Sequence, residues 1–283
     1  VISPGDAPGF DAITGMRGCG AVCESRPVAN SPSGDSMTER LVRVLETFTP
    51  TRTVQTAAEI GRRSGLPGST AHRIVTDLLD AGLLERDEDR RIRVGMRLWE
   101  LATRSSLALR LRQAAMPAME RVQAVVQEHT QLAILEQDEA LFLERLSGAR
   151  SGSNITKIAG RLPLHASSSG LVLLAYADPE VRERLLQRPL VRLTRETIAD
   201  PATLRRKLDE IRTRGCAIAP GYIEDVSTGL AVPVRDETGA VIAALSVVLP
   251  RDAPTEEALA ELFRAARDIE IALGRPRGPA VSR

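Results

Sequence analysis

Two short stretches of the chain carry side chains that could do chemistry. In the first, His165-Ala-Ser-Ser-Ser-Gly170, an imidazole stands beside three hydroxyls. Such a pairing can support acyl transfer, with the histidine as base for a serine nucleophile. The loop has no Gly-x-Ser-x-Gly elbow, and no carboxylate can be assigned to orient the histidine. The loop runs into an apolar helix from Leu171 to Tyr176. Serines at a helix start also cap it, or cradle an anion on its amides. Hydrolase, cap and ligand cradle are therefore three readings of the same residues. In the second stretch, Ser69, Thr70, His72 and Arg73 follow the turn Gly65-Leu-Pro-Gly68. Hydroxyls in a first helical turn, with a guanidinium nearby, suit phosphate oxygens and base edges. Three cysteines (Cys19, Cys23, Cys216) and three histidines make neither a disulfide framework nor a structural metal site. We expect no metal, no catalytic residues and no cofactor.

The elements around the second stretch read as a winged helix-turn-helix. Ser36 and Glu39 fit a capping box, and Leu41, Val44, Leu45 and Phe48 follow at helical spacing. Thr56 and Glu59 open a second helix that Gly65 ends. A third helix is predicted over Ser69–Ala81, with Ile74, Leu78 and Leu79 as its apolar stripe and Gly82 just past its end. Leu83–Arg86 and Ile92–Val94 flank a charged tip, Asp87–Arg91, as a hairpin. The third helix would enter a major groove, and the tip would bring Arg90 and Arg91 to an adjacent groove or to phosphates. A long helix is then expected over 96–115, with Met116-Pro117 breaking or restarting it. Its apolar face, with Trp99, reads as a surface for pairing with a second copy, so a homodimer at least is expected.

From Gln131 the hydrophobic period changes to that of strands. A hairpin (Leu132–Glu136, Leu141–Arg145), strands at Cys216–Ala219, Gly229–Val234 and Val241–Leu249, and helices starting at Asp178-Pro179, Asp200-Pro201 and Pro254-Thr255 make an α+β domain. Ile155–Ile158 stands just before the serine loop. The predicted divisions are a tail over 1–35, a DNA-binding domain over 36–95, a linker helix over 96–115, an antiparallel sheet flanked by helices over 116–275, and a tail over 276–283. The glycine- and proline-rich first 35 residues leave Met37 as a candidate true start.

Composition bounds these readings. The 283 residues suit two domains, and 43% hydrophobic with 27% charged residues excludes wholesale disorder. Aromatics at 2% argue against an RNA module that stacks bases. A net charge of +1 means that any nucleic-acid contact must come from local geometry. All of the 38 basic residues except Lys157 and Lys207 are arginine, which reads as the codon bias of a GC-rich genome, although arginine can also fork onto phosphates and guanine. The absence of a membrane-length apolar run or a signal-like start points to a cytoplasmic protein without a membrane partner.

Three stretches together resemble the IclR-type transcriptional regulators. They are Gly65-Leu-Pro-Gly-Ser-Thr-Ala-His-Arg-Ile-Val75, Leu162-Pro-Leu-His-Ala-Ser-Ser-Ser-Gly170, and Arg214-Gly-Cys-Ala-Ile218 with Ala231–Asp236 and Gly239–Ser246. The resemblance runs from about Ser36 to Leu273. It implies a winged helix-turn-helix, a linker helix and a GAF-like effector domain. It also implies dimers or pairs of dimers on palindromic double-stranded operators, answering to a small organic effector. By position it implies effector contacts at Ala166, Ser167, Ser168, Ser169 and Ser246. The chain departs from the family at Ala219, Pro220, Gly221, Gly229, Val248 and Leu171, where polar or charged groups are frequent. These changes favour a larger, less polar ligand, such as an aromatic or medium-sized organic acid, over small keto acids. Strand alternation puts Ile242, Ala244, Ser246 and Val248 on one face, with Ser246 as the polar group of an apolar wall. A DNA-binding protein whose C-terminal domain only oligomerises stands as the alternative.

Overall fold

The computed structural model describes residues 35–49, 51–104, 106–148, 158 and 160–274. Its chain divides into two compact units at Glu100/Leu101.

The first unit contains α1 (Met37–Glu46), β1 (Val54–Gln55), α2 (Ala57–Ser64), α3 (Gly68–Asp80), β2 (Leu84–Arg86) and β3 (Ile92–Val94). Its small sheet has the order β1-β3-β2, so the expected hairpin gains a third strand from the threonine-rich segment before α2. Both capping boxes form. Ser36 and Thr56 each accept the amide of the glutamate three residues on, and each glutamate accepts the cap amide in return. Gly65 ends α2 at φ +64°, a conformation that side chains with a Cβ resist. Val44, Ile60, Ala71, Ile74, Val75, Leu78, Leu84 and Ile92 form one core. Inside it the Gln55 amide donates to Thr47 Oγ1 at 3.0 Å and accepts from Arg63 at 2.6 Å, tying α1 to α2 through β1.

Three carboxylates of this unit accept backbone amides: Glu39 from Ser36, Glu59 from Thr56 and Glu85 from Met96. These bonds hold their carboxyls below the usual glutamate range. A lowered folded-state value means stability that is present above the unfolded value and lost as pH falls through the folded one. The first unit should therefore melt at lower temperature at pH 3.5 than at pH 6. Glu59→Gln should show a smaller difference between those two pH values. An unchanged difference would remove this explanation.

Helix α4 (Met96–Arg104) spans the division between the units. The second unit continues with α5 (Leu107–Val126), β4 (His129–Glu136), β5 (Glu139–Leu146), β6 (Arg161–Pro163), α6 (Ser168–Tyr176), α7 (Pro179–Leu186), α8 (Pro201–Arg214), β7 (Ala217–Pro220), β8 (Ser227–Arg235), β9 (Val241–Pro250) and α9 (Glu256–Gly274). Two helices thus replace the single helix expected over 96–115, and α5 runs through Pro117 instead of breaking there. The restart lies at Ser106, whose hydroxyl accepts the Leu109 amide. Pro117 is on the solvent side, while Leu111, Ala115, Ala118, Met119 and Val122 are buried on both sides of it. That packing outweighs the loss of one helical hydrogen bond.

Six antiparallel strands follow the order β6-β5-β4-β9-β8-β7. Leu132, Leu230, Val232, Leu245 and Val247 pack against α5 and α9 on one face. Ala133, Phe142, Ala217, Ala231 and Ala244 pack against α6 and α8 on the other. A register shift between Val234 and Arg235 takes Ile242 out of the alternation, so it packs with the α5/α9 face and not with Ala244. Helix α6 is buried from Ser168 to Ala175 and apolar all round after its serines, as a helix enclosed on every side must be. The stretch Ile155–Ile158 lies outside the described residues except for Ile158, and the predicted tails lie outside them except for Asp35.

Candidate functional site

Helix α3 buries Ala71, Ile74, Val75 and Leu78. The opposite stripe therefore faces outward: Ser69, His72 and Arg73 are exposed, and Thr70 is half-buried at the edge. Thr76 lies on the same outer stripe, one turn past His72, and its hydroxyl donates to the His72 carbonyl at 3.0 Å. Sequence reading passed over it, although its spacing from Arg73 was the available signal. Unlike α1 and α2, α3 has no side-chain cap, because Pro67 stands at its N-cap position. The first-turn amides of Gly68, Ser69 and Thr70 are therefore left uncapped, with the positive end of the helix dipole behind them.

The β2–β3 turn holds Arg90 in the left-handed region at φ +60°. Asp87 Oδ1 accepts the Arg91 amide at 2.7 Å, and the Arg86 guanidinium donates to the Arg90 carbonyl at 3.3 Å, which fixes the tip. Arg91 donates to the Val54 carbonyl at 3.4 Å. Arg73 and Arg90 are exposed and have no ion-pair partner among the described residues. Together these groups form an uncapped helix start, hydroxyls, an imidazole and unneutralised guanidinium groups. That arrangement suits a polyanion whose edges carry hydrogen-bonding groups.

In the second unit a pocket opens between the start of α6 and the sheet. Ala166, Ser167, Ser168 and Ser169 line it, with Phe142, Leu162, Ala219, Ile223 and Val248 as apolar walls and Gln131, Glu224, Ser227 and Gly229 completing it. The four loop positions named from sequence are brought together here. Ser246 is not in the wall: it is fully buried, and its hydroxyl accepts from Ser169 Oγ at 2.8 Å. Strand alternation gave its face but not its depth, since α6 lies over it.

The other hydroxyls have distinct duties. Ser167 caps α6, accepting the Gly170 amide at 3.0 Å and donating to the Pro163 carbonyl at 3.3 Å. The Ser168 and Ser169 amides have no partner among the described residues. Ser168 needs Gly229 opposite it, because a Cβ there would lie 2.7 Å from Ser168 Oγ. His165 is buried and its Nε2 donates to the Val191 carbonyl at 2.9 Å, so that nitrogen is not paired with a serine hydroxyl. Burial pushes the Cys216 thiol up, which keeps it protonated and unreactive at neutral pH. Neither a serine–histidine pair nor an activated thiol is assembled among the described residues. Among them, too, no helix is long and apolar enough to cross a membrane.

Gln131 was missed from sequence. Spacing marks it only as the start of a strand, and its direction depends on strand register, which spacing alone does not fix.

Comparison with known proteins matches both units. Residues 38–88 match the IclR helix-turn-helix domain, and residues 105–273 match the bacterial transcriptional regulator IclR C-terminal domain. A crystal structure of an IclR homologue from Microbacterium hydrocarbonoxydans, complexed with 4-hydroxybenzoate, is 58% identical at a TM-score of 0.80, covering 84% of this chain and 99% of that one. The HTH-type transcriptional regulator BhcR of Paracoccus denitrificans is 30% identical over 234 residues, 81% of this chain and 84% of BhcR. The Pca regulon regulatory protein of Pseudomonas putida is 27% identical over 210 residues, 74% of this chain and 72% of that protein. A helix-turn-helix matched over residues 38–88, followed by a six-stranded domain matched over residues 105–273, makes this chain a member of the IclR family of DNA-binding transcriptional regulators.

Proposed function

We propose that the protein binds a palindromic operator as a dimer or larger assembly in the cytoplasm, and that an aromatic carboxylic acid, 4-hydroxybenzoate or a close analogue, modulates that binding. The pocket carries this reading. Its apolar residues, Phe142, Leu162, Ala219, Ile223 and Val248, face a few placed polar groups, among them the donors at the start of α6, which is the make-up usual for small-molecule sites. A carboxylate suits the unpartnered amides of Ser168 and Ser169, where the helix dipole favours negative charge. The ring then lies against Phe142, Leu162, Ile223 and Val248. The 58%-identical homologue complexed with 4-hydroxybenzoate supports the same ligand class. On the DNA side, Ser69, Thr70, His72 and Arg73 would enter a major groove, with Arg90 and Arg91 near phosphate or an adjacent groove. Exposed Met96 and Trp99 on α4 support pairing of two copies.

A mobility-shift titration on upstream DNA tests the proposal. The retarded fraction should change as 4-hydroxybenzoate is added, because a ligand with different affinity for two conformations must shift them. The same preparation should scatter light as a dimer or larger. If neither the mobility shift nor the melting temperature responds to any aromatic acid, the domain only assembles the protein and the effector reading fails.

A further inference from the structure

Gln131 sits on β4, directly across from Ser246 on β9, the residue that Ser169 of α6 covers. Its side chain is buried at 3% exposure and lines the pocket. Its Nε2 has no hydrogen-bond partner among the described residues. Buried amide donors are almost always paired, because leaving one unmade forfeits its hydration without return. The neighbouring polar groups are already committed: Ser246 to Ser169, and Ser167 to Gly170 and Pro163. A donor left over inside a cavity wall is therefore placed to be completed by what enters the cavity.

The topology also separates this amide from the other end of the pocket. Ala219, at the far end, is on β7, three strands from β4, and Ile223, Glu224 and Ser227 follow it. The α6 amides of Ser168 and Ser169 stand over the strands between. An acid held by its carboxylate on those amides has a ring with one further polar position to satisfy.

Resting on the aromatic-acid reading above, we infer that Gln131 is the specificity-determining contact, its side-chain amide reading a ring hydroxyl of the effector. A terminal amide can donate to and accept from the same hydroxyl partner, which is what a phenol offers. A site built to bond a hydroxyl rejects the analogue without it, since its own polar group is then left unpaired.

The test uses the full-length protein, isothermal titration and thermal melting, with 4-hydroxybenzoate and benzoate as probes. Wild type should bind 4-hydroxybenzoate about 10- to 100-fold more tightly than benzoate. Gln131→Leu, similar in volume, should bring the two acids within about 3-fold of each other. It should do so by weakening 4-hydroxybenzoate while retaining benzoate. Its ligand-free melting temperature should rise, because an unpaired buried donor has been removed. Gln131→Glu, which keeps an acceptor, should recover part of the preference for the phenol. If wild type discriminates and Gln131→Leu discriminates equally, the inference is wrong, and Glu224 at the opposite end becomes the hydroxyl's partner. If wild type binds neither acid, the effector reading itself fails and this inference falls with it.

Discussion

The triple substitution Ser69→Ala, Thr70→Ala and Arg73→Ala should abolish specific operator binding while leaving the protein folded. Ser69 and Arg73 are exposed on the outer stripe of α3, and Thr70 is half-buried beside them. None of the three belongs to the core that Ala71, Ile74, Val75 and Leu78 build. Alanine in a first helical turn costs the helix little, so circular dichroism and melting should stay close to wild type. Each lost base-edge contact is worth about 1–3 kcal/mol, and loss of a phosphate contact weakens all sequences alike. Together they predict a fall of about 100-fold or more in affinity for the operator. The single substitutions should separate by kind. Arg73→Ala should weaken every DNA sequence and lower the salt slope by about one. Ser69→Ala with Thr70→Ala should change which sequence is preferred. A triple variant that retards the operator at wild-type concentrations would disprove the assignment of α3 as the reading helix.

Much of the first unit's fold could be read from the chain because its determinants are local. Capping boxes at Ser36 and Thr56, the left-handed Gly65 and the apolar spacing of α3 are set by residues within a turn of one another. The antiparallel domain was legible as a class for the same reason. What escaped depended on neighbours distant in sequence. Strand β1 is two residues long and exists because β3 pairs with it. Helix α5 survives Pro117 because the core on either side of it is buried, whereas proline alone signals a break. Alternation put Ser246 toward α6, yet only the fold shows that Ser169 covers it and that Gln131, one strand away, lines the cavity instead. The histidine beside three serines looked reactive in sequence. Its bond to Val191, 26 residues away, is invisible there.

Arg112→Leu should lower the melting temperature of the second unit by about 4–8 °C, taking about 2–4 °C per kcal/mol for a domain of this size. The reason lies in a β-bulge. In the β4–β5 ladder Phe142 pairs with Ala133 and Glu144 with Leu132, so Leu143 is the extra residue. Without it, Phe142 and Glu144 would share a face. With it, Phe142 stays on the pocket side while Glu144 turns toward α5, where Arg112 Nε meets its carboxylate at 2.5 Å. The Glu144 side chain is 4% exposed and that of Arg112 is 42% exposed. Removing one partner of a fully buried pair costs about 3–5 kcal/mol. Here water reaches the outer side of Arg112, and the Arg145 amide still donates to Glu144 at 2.9 Å. The expected loss is therefore nearer about 2 kcal/mol. Adding Glu144→Leu to Arg112→Leu should restore most of it, since an apolar pair replaces a stranded carboxylate against the α5 face. If the single variant melts with wild type, the pair is merely tolerated. If the double variant melts as low as the single one, the cost comes from lost arginine packing and not from the buried charge.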